Sequence, residues 1–179
     1  MTFTPTPTGS DFADYPTLQM EMRGLLHGER DWLANLANTS ALLHLRLPRL
    51  NWVGFYLWRG GELVLGPFQG KPACIRIKRG AGVCGSAAAR RESLVVANVH
   101  EFPGHIACDA ASASEIVIPL QLAGRQFGVL DLDAPVMARF DQNDRTGLEA
   151  LVDILLNGTD WPSDIGESIG DYGTRRQMR

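Results

Sequence analysis

The 179-residue chain has little cysteine, no long apolar run and no excess of basic charge. Its three cysteines, Cys74, Cys84 and Cys108, lie ten and twenty-four positions apart. None belongs to a CxxC pair, which excludes a thioredoxin-type motif and a zinc-ribbon knuckle. An odd count also argues against a structural disulfide framework. No stretch approaches the roughly 20 apolar residues of a membrane span. The opening MTFTPTPTGSDFADYP lacks the basic flank and apolar core of a secretory signal. The expectation is a cytoplasmic protein with no membrane partner. Seventeen Lys and Arg against twenty Asp and Glu give a net charge of −3, and the arginines are scattered along the chain. The basic footprint of nucleic-acid binding is missing.

What is present suits one domain of ordinary size, with 45% hydrophobic and 21% charged residues. Thr-Pro repeats mark residues 1–15 as a flexible extension. Leu18, Met22, Leu25 and Leu26 begin a helical pattern that Gly28 interrupts, and a second helix is expected over 31–45, stopped by Pro48. NWVGFYLW (51–58) reads as a strand, with a hairpin turn at Gly60 and Gly61 and a return over 62–65. A short strand through Cys74, Ile75 and Ile77 precedes a short Ala-rich helix over 83–90 and a brief strand over 94–96. Residues 97–114 show no period, which marks a long, functional loop. Residues 115–122 and 126–132 form a hairpin. Asp141 caps a last helix reaching Leu156. Beyond it the pattern dissolves, so 159–179 reads as a polar tail. This order predicts an α+β domain over 16–158, with a central antiparallel sheet flanked by helices.

The chemistry-bearing residues fall in three groups. Cys74 sits on the expected strand. Cys84 sits at the start of a short helix, where it is either inert filler or a thiol activated by the helix N-terminus. Cys108 sits in the irregular loop near His100 and His105, whose proximity would raise its thiolate fraction. His100, His105, Cys108 and Asp109 also have ligand chemistry, but H-x4-H-x2-C-D is not a standard zinc spacing, and no metal is expected. Asp131 and Asp133 share one face of their strand, opposite Leu130 and Leu132, and Glu115 begins the preceding strand. These acids either end their strands in solvent or converge on a pocket, where a crowded carboxylate holds its proton and an amino group is a fitting ligand. Trp52, Tyr56 and Trp58 share a strand face with Phe55 on the other, as core or as pocket walls.

The runs DWLANLANTSALLHLRLPRLNWVGFYL (31–57) and KPACIRIKRGAGVCGSAAARRESLVVANVHEFPGHIACDAASASEIVIPL (71–120), with LDLDAP and RFDQNDRTGLE beyond them, closely resemble the free methionine-(R)-sulfoxide reductases, which are built on a GAF domain. The resemblance covers about residues 16–157. It implies an enzyme that reduces the R epimer of free, non-peptidyl methionine sulfoxide without a cofactor. By the same resemblance, Cys108 in GHIACD is the catalytic cysteine and Cys74 in KPACIRI the resolving one, the two forming a redox disulfide. Cys84 in GVCGSA is then auxiliary. Glu115, Asp131 and Asp133 are the pocket acids, with Asp133 or Glu115 as proton donor, and Trp52 and Tyr56 the pocket aromatics. Ala134 stands where many relatives carry Ser. A thioredoxin-like dithiol is the implied reductant and a homodimer the implied assembly. The rival readings are a GAF domain that binds a small ligand and signals without turnover, and a metallohydrolase using His100, His105 and Asp109.

Overall fold

A computed structural model describes residues 13–104 and 110–168. Two helices open the domain, α1 over Tyr15–Leu25 and α2 over Trp32–Arg46. Each starts where an aspartate precedes it: Asp14 accepts from the backbone N–H of Thr17 and Asp31 from that of Ala34. Leu47 turns extended immediately before Pro48, and α2 ends there.

The strands are β1 Trp52–Arg59, β2 Glu62–Gly70, β3 Arg76–Ile77, β4 Leu94–Val96, β5 Ser114–Leu122, β6 Arg125–Ala134 and β7 Glu167–Ser168. They form one antiparallel sheet in the order β3-β2-β1-β6-β5-β4, with β7 also paired to β6. Helix α3 spans Gly82–Arg90 and α4 spans Gln142–Asn157. Asp141 and Asp144 cap α4 reciprocally, each side chain accepting from the other's backbone N–H. The architecture is the α+β domain that the sequence pattern predicts.

Alternation along the central strands divides the sheet into two faces. Val53, Phe55, Leu57, Leu130 and Leu132 point toward α1, α2 and α4 and form the larger core with Leu36, Leu43, Leu148 and Leu155. Trp52, Tyr56, Trp58, Val117 and Val129 point the other way and pack against Val83, Cys84, Ala87 and Ala88 of α3.

Three local features depart from the sequence reading. β2 runs on to Gly70, past the apolar stretch, because its partner β1 is long enough to pair it there. Cys74 lies just before β3 rather than within a strand. Residues 159–168, which the sequence pattern assigns to the polar tail, cross back over the molecule. Ile165 is buried, Trp161 stacks on Phe127 at 4.5 Å, the Gly166 N–H donates to the Trp58 carbonyl, and Glu167 pairs with Arg79. Two isolated apolar residues among Gly, Ser and Asp carry no period, so the sequence offers no sign of this packing.

Candidate functional site

The second face of the sheet is incompletely filled. A cavity lies among β1, β5, β6, the N-terminus of α3 and the segment before β3. Trp52 forms one wall, stacked against Tyr56 at 5.9 Å and Phe68 at 5.4 Å. Gly54 between the two aromatics makes this possible: a Cβ there would lie 2.4 Å from the Cβ of Phe68 and 2.7 Å from the Trp52 ring. The Trp52 indole N–H donates to the Lys71 carbonyl at 3.1 Å, and the Tyr56 hydroxyl donates to the Cys74 carbonyl at 3.0 Å. The cavity walls therefore hold the Cys74 backbone in place.

Strand register gathers the acids. Asp133 faces Trp52 on one side and Glu115 on the other, while Asp131 lies between Gly54 and Val117. All three line the cavity. Glu115 and Asp131 are each only 6% exposed. The Cys84 thiol lies 3.9 Å from Glu115 Oε1, and Asp131 Oδ1 is buried without a hydrogen-bond partner among the described residues.

Such crowding moves protons. Burial, then the charges of Asp131 and Asp133, hold the Glu115 carboxyl well above the usual carboxylate range. Burial raises Asp131 to about 6. Burial and the same acids push the Cys84 thiol up, opposite in sign to what a helix N-terminus does alone, so Cys84 is a protonated thiol at neutral pH. The Tyr56 hydroxyl shifts upward for the same reasons.

Cys84 Sγ and one oxygen each from Glu115 and Asp131 lie within 4.8 Å of one another. Thiolate and carboxylate are ligand chemistry for a divalent ion, but a raised thiol pKa opposes metal binding, which requires the thiolate. A ligand ammonium group meets the same concentration of acid without displacing that proton, and it answers the unpartnered oxygen of Asp131.

The cavity brings together Trp52, Tyr56, Cys84, Glu115, Asp131 and Asp133. Cys74, half-buried behind the cavity-lining Ala73, is disulfide-bonded, whereas Cys84 is a free thiol. Cys108, His105 and Asp109 lie outside the described residues. His100 sits exposed in a 3-10 turn over Val99–Glu101 and does not line the cavity.

Sequence reasoning missed Ser112, which is buried at the cavity wall and accepts from Asn51 Nδ2 at 3.0 Å. It also missed Gly82 and Val83, the first residues of α3, which line the cavity at a helix end that no side chain caps. Backbone groups at a helix start carry no residue-type signal, and Ser112 lies in a stretch without period.

The GAF-domain profile matches residues 34–156. The free methionine-R-sulfoxide reductase of Escherichia coli (strain K12) is 54% identical over 138 residues, covering 77% of this chain and 84% of that protein. Its counterpart of the same name in Saccharomyces cerevisiae (strain ATCC 204508 / S288c) is 42% identical over 146 residues, covering 77% and 81%. Among solved structures, the Neisseria meningitidis free methionine-R-sulfoxide reductase in complex with its substrate superposes with a TM-score of 0.82 at 43% identity, over 88% of this chain and 95% of that one. Similarity this extensive, over a domain whose cavity and acids are in place, settles the family: the chain belongs to the GAF-domain family and groups within it with the free methionine-R-sulfoxide reductases.

Proposed function

We propose that this protein reduces the R epimer of free L-methionine sulfoxide to L-methionine. The observation that carries the reading is the convergence of Glu115, Asp131 and Asp133 on one cavity walled by Trp52 and Tyr56. Free methionine differs from a protein residue by its charged α-ammonium. Asp131 and Asp133, with Glu115, read that charge through charge-assisted hydrogen bonds. A peptide bond at the same nitrogen removes the charge and adds bulk that the enclosed site rejects. Backbone N–H groups take the α-carboxylate, and the uncapped start of α3 at Gly82 and Val83 supplies them. The Trp52 ring packs against the methyl end.

The Cys108 thiolate attacks the sulfoxide sulfur while an acid protonates the oxygen, which passes to the cysteine. Methionine leaves and Cys108 becomes a sulfenic acid. The raised pKa of Glu115 favours it over Asp133 as the proton donor, because it retains a proton at neutral pH. The Cys74 thiol condenses with the sulfenic acid, giving a disulfide and water. The disulfide-bonded state of Cys74 beside a free Cys84 supports this pairing over one through Cys84. Cys84 stays auxiliary, a buried hydrogen-bond donor to Glu115. A thioredoxin-like dithiol returns two electrons by exchange, in the cytoplasm, where such carriers are kept reduced. The test is methionine release: Cys74→Ser should still form one methionine per enzyme while cycling poorly with thioredoxin. Full cycling by that variant would remove Cys74 from the scheme.

The assembly is a homodimer formed through α2. On that helix Leu33, Ala37, Ala41 and Leu45 recur every four residues on the exposed side, with the leucines 51% and 58% exposed. Among the exposed positions of this face only His44 is titratable, and depletion of charge marks interface cores. Large-small-small-large is also its own complement under a two-fold axis, pairing Leu33 with the partner's Leu45 and the two alanines with each other. Ala41→Arg should turn the dimer into a monomer in analytical ultracentrifugation.

A further inference from the structure

We infer that the surface around Ile75 is where the reducing protein docks to open the Cys74 disulfide. This rests on the reductase reading above and adds the recognition surface that the reading lacks. Ile75 is 68% exposed, the most exposed large hydrophobic side chain among the described residues, and it directly follows Cys74 in the chain.

Its exposure is imposed by the backbone. In a regular strand Ile75 and Ile77 share a face, yet Ile77 is buried in the cavity-side core and Ile75 is not. Pairing with β2 begins only at Arg76, and the Ile75 carbonyl is pinned by the Leu65 N–H at 2.9 Å. The chain breaks its alternation at the residue beside the redox sulfur and turns an isoleucine outward.

The position suits an incoming protein. β3 is the edge strand of the sheet, two residues long. Lys71, Arg76 and Lys78, all exposed, lie within four residues of Ile75 in the chain, and Arg76 pairs with Glu62. An exposed isoleucine beside a disulfide-bonded cysteine, with basic residues near it in the chain, suits a protein dithiol with an apolar collar around its reactive cysteine and carboxylates beyond it.

Docked there, the partner's thiolate attacks Cys74 Sγ. The bond between Cys74 and Cys108 breaks, Cys108 leaves as a thiolate, and a mixed disulfide with the partner forms. The partner's second thiol then attacks its own sulfur in that mixed disulfide and releases Cys74 as a thiol. The partner is oxidised to its disulfide, and two electrons have passed to the enzyme.

The test compares two reductants on the full chain: thioredoxin, recycled by its reductase, and dithiothreitol, which needs no docking surface. Ile75→Ser should raise the KM for thioredoxin about tenfold, and Ile75→Asp more, with dithiothreitol-driven methionine formation kept within twofold. Lys78→Glu should raise the same KM several-fold and weaken its salt dependence. An unchanged thioredoxin KM in both Ile75 variants, with the wild type active, would overturn the docking surface alone. So would a change of oligomeric state in those variants, which would make the face a contact between copies. No methionine from the wild type with either reductant would overturn the reductase reading instead.

Discussion

The two faces of β1 and β6 are made from alternate residues of the same strands and do opposite things. Toward α1, α2 and α4 point Val53, Phe55, Leu57, Leu130 and Leu132, all buried and closely packed. Toward α3 point Trp52, Tyr56, Asp131 and Asp133, around a cavity in which acids crowd together and a buried oxygen of Asp131 lacks a partner among the described residues. Buried carboxylates oppose folding, because desolvation disfavours their charged form. One strand pair therefore supplies stability on one side and places destabilising groups on the other. Function takes the face where the fold tolerates strain because the opposite face is secure.

Substitutions on each side separate the two. The largest effect is expected at the proposed nucleophile, where Cys108→Ser should lower sulfoxide turnover by about 10³-fold or more while leaving the melting temperature near that of the wild type. On the cavity face, Glu115→Gln should lower kcat about 10²-fold. It should also flatten the alkaline limb of the pH profile, since a general acid works only below its own pKa. An unaltered alkaline limb would move the donor role to Asp133. On the helix face, Leu132→Ala should destabilise the domain by about 2–5 kcal/mol, with kcat per folded molecule unchanged. That pairing of effects, read by thermal denaturation and active-site titration, is the reverse of the one for Glu115→Gln.

The smallest effect concerns pH. The Asp131 carboxyl lies at about 6 in the folded protein, above its ordinary value of 3.8. The folded state therefore holds this proton more tightly than the unfolded chain. The stability contributed is full below about pH 4 and is lost as pH rises through 6. Asp131→Asn removes that loss. Its melting temperature should match the wild type at pH 4 and exceed it by several degrees at pH 7.5, corresponding to about 2 kcal/mol. An Asn variant less stable than the wild type at pH 7.5 would contradict the direction of the shift.

How legible this was differs between the faces. Alternation in FGVLDLD was enough to put Asp131 and Asp133 opposite Leu130 and Leu132, as the structure has them. The last helix was readable because Asp141 stands directly before its first turn and caps it, and α2 because its apolar residues run up to the stop at Pro48; that Asp31 caps α2 is seen only in the structure. Whether the acids converge was not readable. That depends on the registers Glu115 with Asp133 and Asp133 with Trp52, which join strands far apart in sequence. The cavity's backbone lining at Gly82 and Val83 carries no residue-type signal, and the buried hydroxyl of Ser112 lies in a stretch without period, as does the return of Trp161 and Ile165 across the domain. The outward turn of Ile75 runs against the pattern of its own segment, so alternation points the wrong way there.

The central claim is that three acids around one cavity select a free amino acid for reduction. Methionine formation from free R sulfoxide, free S sulfoxide and N-acetylated R sulfoxide, each with dithiothreitol as reductant, tests it most directly. Turnover should be confined to the free R epimer, with the acetylated compound at least about 10²-fold slower, as expected when an ammonium bound by buried acids is replaced by a neutral amide. Comparable turnover of the acetylated compound would contradict the account.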